Sequence, residues 1–339
     1  ILHGKESFPL RIWVVDNSGS MNTPDGKRLV ETKRKHDIRW CHCTRWAELH
    51  ETVKYHAQLA ALLEAPTKFK LLNPTTRPGF GVAEMGPEMV EEELNSLFHE
   101  FSRISPCGAT PLAQHLRDIY AILKPMEQSL RAEGKQVVVC LATDGTPTDL
   151  SGYNGEYVLR DFELALKRLL QNLPVWMVIR LCTNEDNVVR YYEELDSQLE
   201  LDLEVLDDFE KEGVEVHSHN PWLTYGLPLH RCREAGFRHK IMDLLDERAL
   251  TLDEVVGLMR LLFGGEVWNS VDPHSDWDGF VRQIKLAMGS EKQYNPVKRR
   301  LTPWIDTSLL QRKYNPSKSN FGMLTILVVL FAILYAMLW

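Results

Sequence analysis

Residues 11–20 read Arg11-Ile12-Trp13-Val14-Val15-Asp16-Asn17-Ser18-Gly19-Ser20 (RIWVVDNSGS). The first half is a short apolar run with two valines and an isoleucine, and such a run predicts a strand buried on both faces, as in the middle of a parallel sheet. The second half predicts a turn at that strand's carboxyl end, because Asn, Ser and Gly favour tight backbone conformations.

Two more runs of the same kind follow, Gln136 to Ala142 (QVVVCLA) and Val175 to Cys182 (VWMVIRLC). Between them lie amphipathic patterns with apolar residues three and four apart. Arg45 to Glu64 places Trp46, Leu49, Val53, Ala57, Ala60 and Leu63 on one helical face behind a Thr44 cap, and Pro111 to Arg131 does so with Leu112, Leu116, Ile119, Ile122, Leu123 and Met126. Glu88 to Ile104 and Tyr157 to Leu170 read as further helices and Thr67 to Leu72 as a further strand. Leu199 to Asp207 (LELDLEVLD) alternates apolar and acidic residues, the pattern of an edge strand with one wet face. Strands alternating with helices predict an α/β fold, a doubly wound, mostly parallel sheet flanked by helices.

Beyond residue 235 the pattern changes to helices without strands, Lys240 to Ala249, Leu252 to Phe263 and Trp277 to Met288. The predicted organisation is a domain over 8–235 with an inserted loop at 22–43, a helical appendage over 236–290, a basic linker over 291–320 and a transmembrane helix over 321–339. The last rests on 19 residues without a charge, which span about 28 Å as a helix, close to a bilayer core of about 30 Å. Lys298, Arg299, Arg300, Arg312, Lys313 and Lys318 precede it, and positive flanks stay cytoplasmic. The expectation is a single-pass membrane protein with its globular part in the cytosol. The first residue is Ile1, not Met, so the N-terminus is expected to be clipped or incomplete.

The net charge of -8 is uneven. Glu185 to Glu212 holds twelve acids against two bases, and Glu291 to Lys318 seven bases against two acids. An acidic body argues against nucleic acid as the main ligand. Six cysteines, at 41, 43, 107, 140, 182 and 232, show no disulfide framework, so a reducing compartment is expected. Cys41-His42-Cys43 and the pair His217, His219 lack the paired spacing of a structural zinc site.

Two later motifs fall in order behind Asp16-Asn17-Ser18-Gly19-Ser20: Gly108-Ala109-Thr110-Pro111-Leu112, and Ala142-Thr143-Asp144-Gly145 directly after a predicted strand. Each alone is an ordinary turn or helix cap. Together they resemble the metal-ion-dependent adhesion site of the von Willebrand factor A family, and the resemblance covers roughly residues 8 to 220. It implies that Ser18, Ser20 and Thr110 bind a divalent ion, Mg²⁺ or Mn²⁺, directly, while Asp16 and Asp144 act through water or hydrogen bonds. An ion held mainly by neutral hydroxyls keeps much of its charge, so its natural remaining ligand is a carboxylate from a protein partner. The expected function is therefore a non-enzymatic, cation-dependent protein-binding module anchored to a membrane. Two alternatives stand beside it: a Mg²⁺-dependent phosphoryl-transfer or hydrolytic enzyme, disfavoured by Ser18 where Asp-x-Asp phosphatases carry a second acid, and a structural scaffold with a vacant metal site. The segment 22–43, which carries Lys33, Arg34, Lys35 and His36, is read as a loop that either walls the binding face or is simply solvated.

Overall fold

Ile12, Trp13, Val14 and Val15 are all buried, because the strand they form has a neighbour on each side and a hydrophobic core on each face. The computed structural model describes residues 9–31, 38–74, 79–199 and 201–315. Its six-stranded sheet contains β1 (Arg11–Val15), β4 (Thr67–Leu71), β5 (Gly79–Val82), β6 (Val137–Thr143), β7 (Val175–Leu181) and β8 (Leu203–Leu206) in the order β5-β4-β1-β6-β7-β8. All neighbours are parallel except β5, which runs antiparallel to β4 and makes the sheet mixed. The acidic-alternating stretch supplies β8 at one edge, shorter than its pattern predicts.

Period-two alternation sorts the strand residues onto two faces. On one, Ile12, Val14, Val139, Leu141, Met177 and Ile179 meet the helices Leu112–Leu123 (α3), Glu156–Asn172 (α5) and Asp186–Leu199 (α6). On the other, Trp13, Val15, Val138, Cys140, Trp176 and Val178 meet Arg45–Leu63 (α1) and Val90–Phe101 (α2). Thr44 caps α1 as predicted, accepting from the Ala47 amide at 3.1 Å. The helix predicted over 111–131 is broken in two, for Pro125 sits in a 3-10 turn at Lys124–Met126 and only Glu127–Ala132 (α4) continues beyond it.

The segment 22–43, expected to be an inserted loop, contains a two-stranded antiparallel hairpin, β2 (Gly26–Glu31) with β3 (Ile38–Cys43). Its base is fastened to α1: the Lys27 amide donates to Glu48 Oε2 at 2.8 Å and the Arg45 amide to the Thr23 carbonyl at 3.0 Å. A side chain at Gly26 would collide with the Thr44 carbonyl, 2.6 Å from an added Cβ.

The chain divides into two compact units, Ile1–Asp208 with Pro228–Phe237, and Phe209–Leu227 with Arg238–Trp339. The second contains the helices Phe209–His219 (α7), Lys240–Glu247 (α9), Leu252–Phe263 (α10), Trp277–Met288 (α11) and Thr307–Tyr314 (α12), while Leu227–Glu234 (α8) leads back into the first. Buried Asn220 ties this second unit together, its amide donating to the Leu245 and Arg248 carbonyls at 2.9 Å and its oxygen accepting from the Leu250 amide. Between 236 and 290 the described regular elements are helices, and strands come only after them. β9 (Lys292–Asn295) and β10 (Arg300–Pro303) form an antiparallel pair inside the stretch read as a linker, and α12 follows. They are short and polar, so hydropathy did not announce them.

The predicted spanning helix, 321–339, lies outside the described residues. Among the described residues no helix is long and apolar enough to cross a membrane. The longest, α1, carries Glu48, Glu51 and Lys54 along its length, each costly in hydrocarbon. The predicted fold class and single-pass location are corrected accordingly: the fold is α/β, with a mixed, mostly parallel sheet flanked by helices.

Glu234 of α8 is fully buried in the first unit, where it accepts from Arg231 Nη1 at 2.7 Å and Arg180 Nε at 3.3 Å and meets His56 Nε2 at 2.9 Å. Breaking a buried ion pair from one side strands the other charge. Glu234→Ala is expected to lower unfolding free energy by about 3–5 kcal/mol in urea denaturation followed by tryptophan fluorescence, with Glu234→Gln costing less.

Candidate metal centre

β1 and β6 are adjacent and parallel, so the residues that follow them, Asp16 and Asp144, emerge side by side at the carboxyl end of the sheet. β1 also marks where the strand order reverses, with β4 on one side and β6 on the other, the place where open α/β sheets form a crevice. Asp16 is fully buried and both its oxygens are committed. Oδ1 accepts from the Ser18 amide at 2.8 Å and Oδ2 from the Thr143 hydroxyl at 2.6 Å. The first bond shapes the loop and brings Ser18 and Ser20 together, their hydroxyls 3.0 Å apart. Ser20 Oγ in turn donates to Asp144 Oδ1 at 2.7 Å. Ser18 is buried and Ser20 exposed, so the hydroxyl pair runs from the floor of the site to solvent.

Thr110 is nearly buried and sits just before α3, which begins at Leu112, one residue later than the pattern indicates. Its amide donates to Thr148 Oγ1 at 2.9 Å and its carbonyl accepts from the Thr148 amide at 2.9 Å, binding this loop to the one after Asp144. The Gly19 amide donates to the Gly108 carbonyl at 3.1 Å, which joins it to the first loop as well. Gly108 has φ +88°, and a Cβ there would lie 2.5 Å from Asn73 Oδ1, so this position needs glycine. Asp16, Ser18, Ser20, Thr110 and Asp144 thus stand on three loops stitched to one another.

Three participants escaped the sequence reading. Asn17 is buried and exchanges two 2.8 Å hydrogen bonds with the backbone of Asn73, whose own amide reaches the Ala109 carbonyl at 2.8 Å. In the motif Asn17 counts only as a spacer. Thr143 orients Asp16. Arg45, almost wholly buried, donates from Nη1 to Asp144 Oδ2 at 3.0 Å and from Nε and Nη2 to both oxygens of Asp25 at 2.7 Å. Its Nη2 also reaches Glu185 Oε1 at 2.7 Å. Bonding to Asp25, followed by Glu185 and Asp144, raises the guanidinium's pKa above its ordinary value against the opposing effect of burial.

The donor set fits a small hard cation. With metal–oxygen distances of about 2.0–2.1 Å, neighbouring ligands of an octahedron lie about 2.9 Å apart. The hydroxyls of Ser18 and Ser20 are 3.0 Å apart, close to that edge, and Asp144 Oδ1 stands behind Ser20 at 2.7 Å. No group of three or more His, Cys, Asp and Glu side chains able to hold a metal occurs among the described residues, Cys41, His42 and Cys43 included. The candidate centre is built instead from hydroxyls and two carboxylates.

No protein-family model matches the chain, and no curated protein matches it. Among solved structures it is similar to the manganese-loaded TRAP protein of Plasmodium vivax, at 13% sequence identity and a TM-score of 0.35, over 60% of this chain and 69% of that one.

Burial raises the pKa of Asp16 to about 6, with the charge of Asp144 adding to the shift and bonds from Ser18 and Thr143 opposing it. A carboxyl held above its ordinary 3.8 is protonated more readily in the folded chain than in the unfolded one. The metal-free fold therefore loses stability as pH rises from about 4 through 6, by about 3 kcal/mol in all. Asp16→Asn is expected to raise the melting temperature of chelator-treated protein at pH 7.5, by a margin that shrinks towards pH 5, as read by scanning calorimetry.

Proposed function

We propose that the chain is a protein-binding module of the von Willebrand factor A type, in which Mg²⁺ or Mn²⁺ is held by the hydroxyls of Ser18, Ser20 and Thr110, with Asp16 and Asp144 behind them. The observation that carries this reading is the pairing of the Ser18 and Ser20 hydroxyls 3.0 Å apart, with Asp144 behind Ser20 at 2.7 Å, beyond the carboxyl ends of two central strands. A bound ion would supply a Lewis-acidic position for a carboxylate of the partner.

The residues divide the work. Asp16 holds the loop that presents Ser18 and Ser20, through its bond to the Ser18 amide. Asp144 accepts from Ser20 and so fixes the direction of that hydroxyl. The backbone bonds of Thr110 to Thr148 hold its loop beside the aspartate loop.

An enzymatic reading asks Asp16 to act as a nucleophile. Both of its oxygens are taken by donors and its side chain is sealed from solvent, which favours an orienting role. The scaffold reading differs in having no response to cations.

Addition of Mg²⁺ or Mn²⁺ in millimolar amounts is expected to raise the melting temperature of the wild-type chain, because a ligand of the folded form stabilises it by mass action. Asp16→Ala and Ser18→Ala should lose that shift and the cation-dependent capture of partner protein. Capture that persists in chelator would remove the metal from the mechanism, and turnover of a phosphate ester dependent on Asp16 would favour the enzyme.

A further inference from the structure

An arginine in the first turn of a helix opposes the helix dipole, which favours acids at that end. Arg45 opens α1 in spite of this, and only 3% of it is exposed. Its surroundings account for it. Asp25 grips Nε and Nη2 from the base of the hairpin, Glu185 takes Nη2 from the loop after β7, and Asp144 accepts from Nη1. Asp25 and Glu185 are half exposed, so a salt link between those two regions alone could be made on the surface, whereas the bond to Asp144 joins two buried side chains. A guanidinium held from three sides cannot swing away, and Asp144 Oδ2 is held with it.

The two carboxylates of the candidate centre are therefore restricted in the same way. Asp144 presents Oδ1 towards Ser20 and gives Oδ2 to Arg45. Asp16 gives one oxygen to the Ser18 amide and the other to Thr143. Neither can turn both oxygens towards one cation without breaking a buried hydrogen bond.

We infer that Arg45 is a selectivity-determining positioning residue, which makes the centre prefer Mg²⁺ and Mn²⁺ over Ca²⁺ by denying it a bidentate carboxylate; this rests on the metal-site reading proposed above. Ca²⁺ takes 6–8 oxygens at about 2.3–2.6 Å and commonly reaches that number through bidentate Asp or Glu, whereas Mg²⁺ needs only six at about 2.0–2.1 Å and keeps waters among them. Serine hydroxyls contribute one oxygen each and water can fill further positions of Ca²⁺, but the charged oxygens that tighten a Ca²⁺ site can come in this cluster only from the two carboxylates. Arg45 withholds one such oxygen of Asp144. Its positive charge acts on every divalent ion alike to first order, so it lowers affinity generally and leaves the ratio between ions to geometry.

The test is calorimetric titration of the full chain with MnCl₂, MgCl₂ and CaCl₂ separately, with competition of Ca²⁺ against the Mn²⁺ electron-spin-resonance signal. Wild type is expected to bind Mn²⁺ and Mg²⁺ at least about tenfold more tightly than Ca²⁺, in line with the 10–100-fold effects of residues that hold metal ligands. Arg45→Met should narrow the Mn²⁺ to Ca²⁺ ratio about tenfold, chiefly by gaining Ca²⁺, while Arg45→Lys, which keeps a cation beside Asp144, should restore most of it. A purely structural role would weaken all three ions together and leave the ratio alone. Asp25→Asn alters only a half-exposed tether, so it serves if Arg45→Met does not fold, and it should narrow the ratio by a smaller factor. The inference is overturned if wild type does not discriminate, or if the ratio is unchanged in the variant that folds. No binding of any of the three ions to wild type would instead overturn the metal-site reading, and this inference with it.

Discussion

Two carboxylates kept out of water at the ends of neighbouring parallel strands set the terms for everything at this end of the sheet. An ionised Asp in such a place is tolerable only with donors aimed at it. For Asp16 these are the Ser18 amide and the Thr143 hydroxyl, and for Asp144 they are Ser20 and Arg45. The shape of the first loop, the pairing of the two serines and the burial of an arginine at a helix start all answer the same electrostatic demand. The remaining loops are then fixed by neutral bonds, chiefly those of Asn17 and Asn73.

The central strands were legible because a strand covered on both faces needs a largely apolar run, and β1, β6 and β7 are short runs of that kind, broken in β7 only by Arg180. The five residues of the candidate centre stand in short motifs, at the ends of β1 and β6 and before α3, and that local spacing is what the sequence displays. Elements that owe their form to contacts made elsewhere were not. β2 and β3 bury little, and β9 and β10 are four-residue polar strands, so neither hairpin carries a hydrophobic signature. β5 consists of Gly79, Phe80, Gly81 and Val82 and pairs only at an edge. The Arg45 cluster was hidden by sequence distance, its partners lying 20, 99 and 140 residues away. Local patterns reveal a residue's periodicity, but they say nothing of which distant charge it will meet.

The hairpin shows how a polar excursion is tied to the sheet domain. Its strands interrupt the chain between the loop after β1 and α1, yet β1 and α1 share one hydrophobic core. Gly26 lets the returning chain pass close to the Thr44 carbonyl, and Asp25 turns the entry point of the insertion into a ligand for Arg45. Whatever moves that base is felt by the guanidinium, and through it by Asp144.

Glu234 has a consequence for the order in which the molecule can be made. The first unit is discontinuous: its chain departs after Asp208, and the segment carrying Glu234 returns only at Pro228–Phe237. During synthesis the sheet's strands emerge first, and Arg180 of β7 meets Glu48 but lacks its second buried counterion until more than fifty further residues have been added, 54 separating it from Glu234. The sheet domain is thus completed by a segment that comes after part of the next unit, so a chain stopped at residue 208 would contain every strand of the sheet and still lack Glu234, the buried partner shared by Arg180 and His56.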